Sequence, residues 1–198
     1  MQEGQKQKKA RVTKRREVRP HAELWHTANC LLDAGQREPI ASAHQFRASL
    51  VFRAFALEAF LNWLGQYLVP RWKYLERLKP KDKLELLADL IGVKPDYGLR
   101  PWQIMRVLFG FRNDIAHGKP EILEKETLES LDDFLDAKLG ERLKTTWEQF
   151  CTEENAVKAK EDVYKIAEAL YVAADVKKKQ MGPHGPFASG FHIHGTGT

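Results

Sequence analysis

The chain has 198 residues, which is enough for one globular domain with a sizeable hydrophobic core. No apolar run reaches the ~20 residues of a membrane-spanning helix, and no apolar segment follows the charged N-terminus, so neither a membrane protein nor a secretory signal is expected. Cys30 and Cys151 are too few for a disulfide framework or a Cys-based zinc site, which favours a cytoplasmic protein with reduced thiols.

The positive charge is concentrated at one end of the chain. The net charge is +5, but residues 1–19 carry +6 and the remainder sums to −1. These 19 residues are predicted to form a disordered basic arm that attracts RNA without reading its sequence, although a solvated leader is an equally good interpretation. The residues expected to contact RNA are Lys8, Lys9, Arg11, Lys14, Arg15 and Arg16. Residues 181–198, rich in Gly, Pro and His, are predicted to be a disordered tail.

Between arm and tail, residues 20–180 are expected to form the folded domain. A helix is predicted from about Pro20 to Gly35, and the strongest helix of the chain from about Ala41 to Leu68. Ser42 is expected to cap this second helix, and Pro70 to end it. Apolar residues recur along it at intervals of three and four: Phe46, Leu50, Ala54, Leu57, Leu61, Leu64 and Leu68. A second apolar flank predicts a central helix with contacts on two sides: Phe52, Phe55, Trp63 and Tyr67.

The second half of the domain also reads as helical. A short helix is predicted from Pro80 to about Gly92, then a loop over 95–101, with Pro101 as the first helical residue of a segment ending at Ala116. Residues 121–139 and 141–150 are expected to be helices or one broken helix, and 156–178 a last long helix. Strand signals are almost absent. The sequence therefore predicts an all-α fold, a bundle of five or six helices.

The helix over 102–116 ends in Phe-Arg-Asn-Asp-Ile-Ala-His-Gly, residues 111–118. Arg112 is a permanent cation whose planar fork suits phosphate oxygens. His117 is the side-chain type that gives or takes a proton near neutral pH. A phosphate-holding group beside a proton-moving group is the minimum set for cleaving RNA without a metal.

A helical wheel suggests how this segment lies. With 100° per residue, the expected core stripe is Ile104, Val107, Leu108, Phe111 and Ile115. The outer face then carries Arg112, Asn113 and His117 together with the apolar residues Met105, Phe109 and Ala116. Apolar residues left over on an outer face predict a two-fold interface that brings two copies of the Arg–His set together.

Simpler interpretations of the same residues stay open. A His in the last turn of a helix often only complements the helix dipole. Arg112 could instead pair with Asp114 or Glu121. His184, His192 and His194 in the tail are more often incidental than a metal site. The sequence also has no nucleotide-binding, dinucleotide-binding or zinc-protease motif, so neither a metal nor a cofactor is expected.

The full string resembles the signature of the HEPN superfamily, in which an Arg, usually followed by Asn, Asp or His, precedes a His by four to six residues at a helix end. Residues 56–62, Ala-Leu-Glu-Ala-Phe-Leu-Asn, are similar to a segment in the long helix of many prokaryotic members. The resemblance covers about residues 40–120. It implies an antiparallel helical bundle that dimerises. Many members are metal-independent endoribonucleases of toxins, defence systems and RNA-processing enzymes, and others are nucleotide-binding or scaffold modules.

The resemblance implies RNA transesterification. His117 would act as general base or acid, Arg112 would hold the scissile phosphate, and Asn113 would orient the imidazole or the phosphate. Glu58, Asn62 and Asp114 are candidate supporting residues, although a polar patch between helices is the favoured interpretation of the first two. The expected partners are RNA, a second copy of the chain and a protein regulator or antitoxin. The alternative function is a non-catalytic helical interaction or nucleotide-binding module.

Overall fold

The computed structural model describes residues 11–16, 18–124, 143–178, 185–188 and 191–196. These contain six α-helices and one 3₁₀ turn, Trp72–Tyr74. The helices are α1 (Pro20–Arg37), α2 (Ser42–Leu68), α3 (Pro80–Ile91), α4 (Ile104–Ala116), α5 (Thr146–Phe150) and α6 (Glu153–Lys178). Two short strands, β1 (Arg11–Arg16) and β2 (Phe191–Thr196), pair with each other. The body of the described chain is therefore all-helical, as the sequence predicts.

Helix α2 lies at the centre of this body, because α1, α3, α4 and α6 all pack against it. Its predicted apolar stripe is confirmed, since every member is buried: Phe46, Leu50, Ala54, Leu57, Leu61, Leu64 and Leu68. The second flank is only partly covered. Trp63 and Tyr67 pack against the core, but Phe55 is exposed.

The helix boundaries agree with the sequence signals at some ends and differ at others. Pro20 and Pro80 open their helices, and Gly92 ends α3 with a left-handed φ of 79°. Ser42 forms no capping hydrogen bond, because it is the first helical residue and Ala41 occupies the cap position. Pro101 does not begin α4 either, since residues 101–103 form a turn and the helix starts at Ile104.

The described residues of the segment after α4 contain less helix than predicted. Residues 121–124 have no regular structure, and 125–142, where most of a further helix was predicted, lie outside the described residues. Helix α5 covers only residues 146–150 and begins with a capping box between Thr145 and Glu148.

Part of the arm and part of the tail are paired, which corrects the prediction that both are disordered. Strands β1 and β2 form an antiparallel two-stranded ribbon in which Arg11 pairs with Thr196 and Arg16 with Phe191. The pairing joins segments from opposite ends of the sequence. No local turn signal announces such a contact, so a sequence pattern could not reveal it.

Two contacts fix the ribbon's base on the helices. The Arg19 Nη1 group donates to the Ala188 carbonyl at 3.5 Å. The Phe187 ring stacks on the Trp25 ring, with centroids 4.1 Å apart and planes within 3°. Of the described helices, none is both long enough and apolar enough to cross a membrane.

Candidate functional site

Helix α4 carries the Arg–His motif, and its orientation differs from the helical wheel. Met105 and Phe109, predicted on an outer face, are buried inside the single chain. Val107, predicted in the core stripe, is 40% exposed. The reason is that α4 contacts α2, α3, α5 and α6, so several neighbours set its buried face, which is rotated from the predicted stripe toward Met105 and Phe109 and away from Val107. Of the three leftover apolar residues predicted to face a second subunit, only Ala116 is exposed.

Arg112 is held by an ion pair with the central helix. Its Nη2 donates to the Glu58 Oε2 at 3.0 Å, and the two side chains are 22% and 28% exposed. The guanidinium also lies 5.5 Å from the centre of the Phe109 ring, within the range of a cation–π contact. Its Nε is buried without a hydrogen-bond partner among the described residues. Arg112 pairs neither with Asp114 nor with Glu121, the two partners considered from the sequence.

Lys83 completes this junction and was not singled out from the sequence. Its Nζ lies 3.2 Å from the Glu58 Oε1, and its side chain is only 1% exposed. The sequence does carry a signal, because Lys83 lies beside Leu84 and four residues before Leu87, on the inward side of α3. A cation on an inward face is costly without a partner, and an acidic residue on a facing helix is the partner that offsets the cost best. Glu58 thus joins α2, α3 and α4 through one carboxylate.

A cleft of about 730 Å³ opens beside Arg112, between α4 and the segment that precedes and begins α3. Five basic residues line it: Arg77, Lys79, Lys81, Arg106 and Arg112. Glu58 is the only acid among the described lining residues, and it already contacts two cations. The cleft is therefore electropositive and suited to a phosphate group.

The cleft wall also has an apolar part, formed by Leu78, Met105, Val107 and Phe109. Tyr97 lies beside them with the Lys81 Nζ 4.7 Å from its ring centre. Burial, with the nearby Glu85 carboxylate second, raises the pKa of Tyr97 to about 12, so its hydroxyl keeps its proton near neutral pH. Because the Tyr97 hydroxyl oxygen is buried, the cleft offers apolar surface, and not this hydroxyl, alongside its cations.

Asn113 and His117 continue along α4 from the cleft. Asn113 is exposed and lines the cleft. His117 occupies the C-cap position, where its backbone N–H donates to the Asn113 carbonyl at 2.9 Å, and its side chain is exposed. His117 is not among the lining residues. The structure places Arg112 and Asn113 in one cleft and His117 one turn beyond it, at the end of the same helix.

The other candidate residues lie apart from this cleft. Asp114 lines a separate cavity of about 320 Å³ with Trp147 and Phe150. The Asn62 Oδ1 is buried and forms no hydrogen bond within the described part of the chain. Of the three predicted supporting residues, only Glu58 is in contact with Arg112 in the described part of the chain. Across the described ranges, no group of three His, Cys, Asp or Glu residues could hold a metal ion.

The predicted RNA-binding residues of the arm fall into two groups. Lys8 and Lys9 lie outside the described residues. Arg11, Lys14, Arg15 and Arg16 belong to β1, where Lys14 pairs with Ile193 and Arg15 with His192.

No protein-family model, no curated protein and no solved structure matches this chain. Its function must therefore be inferred from its own residues.

Proposed function

We propose that this protein is a metal-independent endoribonuclease of the HEPN type, with Arg112 and His117 as its catalytic residues. The observation that carries the proposal is the Arg112 guanidinium at the wall of an electropositive cleft, anchored by Glu58 and followed along α4 by Asn113 and His117. The cleft, its Glu58 anchor and the Arg112 and Asn113 part of the motif lie together, and His117 lies one turn beyond them on the same helix.

The proposed reaction is a transesterification within RNA. The 2′-hydroxyl loses its proton to a base and its oxygen attacks the adjacent phosphorus. The bond from phosphorus to the 5′-oxygen breaks, and that oxygen takes up a proton. The products are a 2′,3′-cyclic phosphate and a 5′-hydroxyl. His117 serves as one of the two proton-transfer groups, because imidazole exchanges protons near neutral pH.

The role of Arg112 follows from its contacts. Glu58 holds the guanidinium through Nη2 and the Nε is buried, so Nη1 is the nitrogen left to donate to a phosphate oxygen. A cation fixed before substrate arrives stabilises the developing negative charge without reorganising. Asn113 lies between Arg112 and His117 on the chain and lines the cleft, where its amide would orient the phosphate or the imidazole.

A second copy of the chain is part of the proposal. His117 is exposed at the end of α4 and does not line its own chain's cleft. Two copies related by a two-fold axis that passes beside α4 would bring both sets of Arg112, Asn113 and His117 into one larger groove. Such an enzyme fits a toxin, defence or RNA-processing role, held in check by a protein regulator.

Analysis of the product ends tests this function. The wild-type protein is incubated with RNA in EDTA, and products are expected to carry 2′,3′-cyclic phosphate and 5′-hydroxyl ends. His117→Ala is expected to slow cleavage by ~10²–10⁴-fold, the usual loss for a general acid or base. Arg112→Ala is expected to cost ~10²–10³-fold, and Arg112→Lys to restore little, since an ammonium lacks the planar fork. Products with 5′-phosphate ends, or cleavage that requires added Mg²⁺, would contradict the assignment.

The second candidate is a non-catalytic HEPN-like interaction or nucleotide-binding module. The observation favouring it is that one cleft of nucleotide size contains Arg112 but excludes His117. Expression in a bacterial host separates the two candidates. A ribonuclease should slow growth and its His117→Ala variant should not, whereas a binding module would affect growth equally in both forms.

A further inference from the structure

We infer that the cleft beside Arg112 binds unpaired RNA, with Lys79 and Arg106 holding the phosphates that flank the scissile one. This inference rests on the proposed function, because it assigns the strand type and the backbone contacts of that same site.

Three of the basic residues that line the cleft are not neutralised by an acidic neighbour. Arg77, Lys79 and Arg106 are exposed, and within the described chain none of them forms an ion pair. Lys81, by contrast, lies 3.5 Å from Glu85 and is partly neutralised. Three uncompensated cations around one concave surface attract a polyanion more strongly than they attract a single carboxylate.

These cations lie on both walls of the cleft. Lys79 lies at the start of α3 and Arg106 near the start of α4, so the cleft has a cation on each of its two walls. Arg112 lies deeper, held by Glu58 and partly buried. A strand that places one phosphate at Arg112 would therefore pass its neighbouring phosphates between Lys79 and Arg106.

The size of the cleft and its apolar wall favour a single strand over a duplex. A volume of about 730 Å³ suits a ligand of one or two nucleotides and is too small to hold a duplex. Leu78, Val107 and Phe109 offer an apolar surface between the cations, which suits the face of an unstacked base. Double-stranded RNA hides its base faces and is recognised across a wide, shallow groove instead.

Binding is measured by fluorescence anisotropy with the wild-type chain and a labelled 2′-O-methyl oligouridine of about 12 nucleotides. The methyl group blocks transesterification, so binding is read without cleavage. The same strand annealed to its complement is the duplex probe. The test variant is Lys79→Ala/Arg106→Ala. The matched control is Arg37→Ala/Lys165→Ala, which removes one Arg and one Lys that are exposed and lie outside the cleft.

The wild-type chain is expected to bind the single strand at least ~10-fold more tightly than the duplex. The test variant should lose about 10-fold in single-strand affinity, and its slope of log affinity against log salt should fall by about 1.4, or ~0.7 for each phosphate contact. The control variant should match the wild type in both measurements. A third variant, with Arg11, Lys14, Arg15 and Arg16 changed to Gln, shows how much binding comes from the ribbon.

Equal binding of both probes would overturn the inference, and so would a test variant that matches the control, since RNA would then bind elsewhere. The fates of the two proposals can be told apart. Cleavage with the expected ends but no effect of Lys79→Ala/Arg106→Ala would leave the ribonuclease intact and remove the cleft as its binding groove. Binding through the cleft without cleavage of unmodified RNA would do the reverse.

Discussion

Glu58 is the residue on which the site and the stability of the helices both depend. Its two carboxylate oxygens contact different cations, Arg112 on α4 and Lys83 on α3. Lys83 is almost completely buried, so its charge has little access to water. A buried ammonium without a carboxylate is costly, because nothing replaces its lost hydration.

The first prediction concerns this carboxylate. Glu58→Gln should lower the free energy of unfolding by about 2–3 kcal/mol, less than for a fully buried pair because Glu58 is partly exposed. Urea denaturation followed by circular dichroism measures the change. Glu58→Gln/Lys83→Met should recover most of the loss, since it removes the unpaired cation as well. A single variant as stable as the wild type would show that water reaches Lys83.

Arg53 is a second buried cation, and it has no acidic partner among the described residues. It is 1% exposed on α2, its Nη2 donates to the Asn29 Oδ1 at 3.0 Å, and its guanidinium lies 4.0 Å from the centre of a Trp25 ring. Burial lowers the pKa of Arg53 to about 9. The amide and the ring offset only part of the desolvation cost of this charge.

Replacing this cation with an apolar side chain of similar length is therefore expected to stabilise the protein. Arg53→Met should raise the free energy of unfolding by about 1 kcal/mol near neutral pH, measured in urea. The advantage should narrow as pH rises above about 9, because the folded wild type then releases a proton that the unfolded chain retains. A constant difference from neutral pH upward would mean that Arg53 stays charged throughout.

For single residues, the sequence predicts the identity of the motif residues better than their contacts. Arg112 and Glu58 were both candidates, but the bond between them joins positions 54 residues apart. The cleft cations Arg77, Lys79 and Arg106 were missed, because an exposed Lys or Arg carries no pattern that separates a cleft wall from an ordinary surface. Lys83 was missed although its position on the inward side of α3 was a signal.

Among the elements, α2 determines where the others lie, and a glycine allows one of its closest contacts. Gly65, near the end of α2, lies against the buried indole of Trp72 in the 3₁₀ turn. A methyl group at Gly65 would overlap that ring. Trp72 therefore packs this closely on α2 because the helix has no side chain at this point.

The third prediction compares two glycines. Gly65→Ala should lower the free energy of unfolding by about 1–3 kcal/mol, the usual cost of overpacking a core. Gly110→Ala in α4, where an added methyl would meet nothing within 4 Å, should instead be neutral or stabilising by about 0.5–1 kcal/mol. Thermal unfolding of both variants beside the wild type measures the difference. Equal effects would indicate that Trp72 moves aside easily.

Helix existence could be predicted from the sequence, whereas the faces of α4 could not. Periodicity identified α1, α2, α3, α4 and α6, because each has apolar residues at helical spacing. The face of α4 was misjudged at Met105, Val107 and Phe109 because a wheel assumes one packing partner. With several partners, position in the whole fold decides which residues are buried.

For the whole molecule, the question that follows is how many copies form the working unit. The burial of Met105 and Phe109 removes two of the three apolar residues that suggested an interface on α4. The exposed surface that remains on this helix includes Arg106, Val107 and Asn113. An interface here would therefore be more polar than the sequence implied.

The fourth prediction follows from the exposed position of His117. Sedimentation velocity at micromolar concentration should show a dimer. Val107→Glu should shift it toward monomer, because like charges would face each other across the two-fold axis. Val172→Glu, at an exposed position of α6, is the matched control and should leave the dimer intact. A wild-type monomer under these conditions would contradict the shared groove.

The helices bring the two strands of the ribbon together. Isolated two-stranded sheets are marginal in water, and closing a loop as long as this chain carries an entropic cost. The helices remove most of that cost, since Arg19 and Ala188 already meet and the first strand pair, Arg16 with Phe191, lies three positions from each. The helices thus hold the two strand ends close together, as the turn does in a β-hairpin. Loosening Phe187 from Trp25 should therefore open the ribbon without a change in either strand.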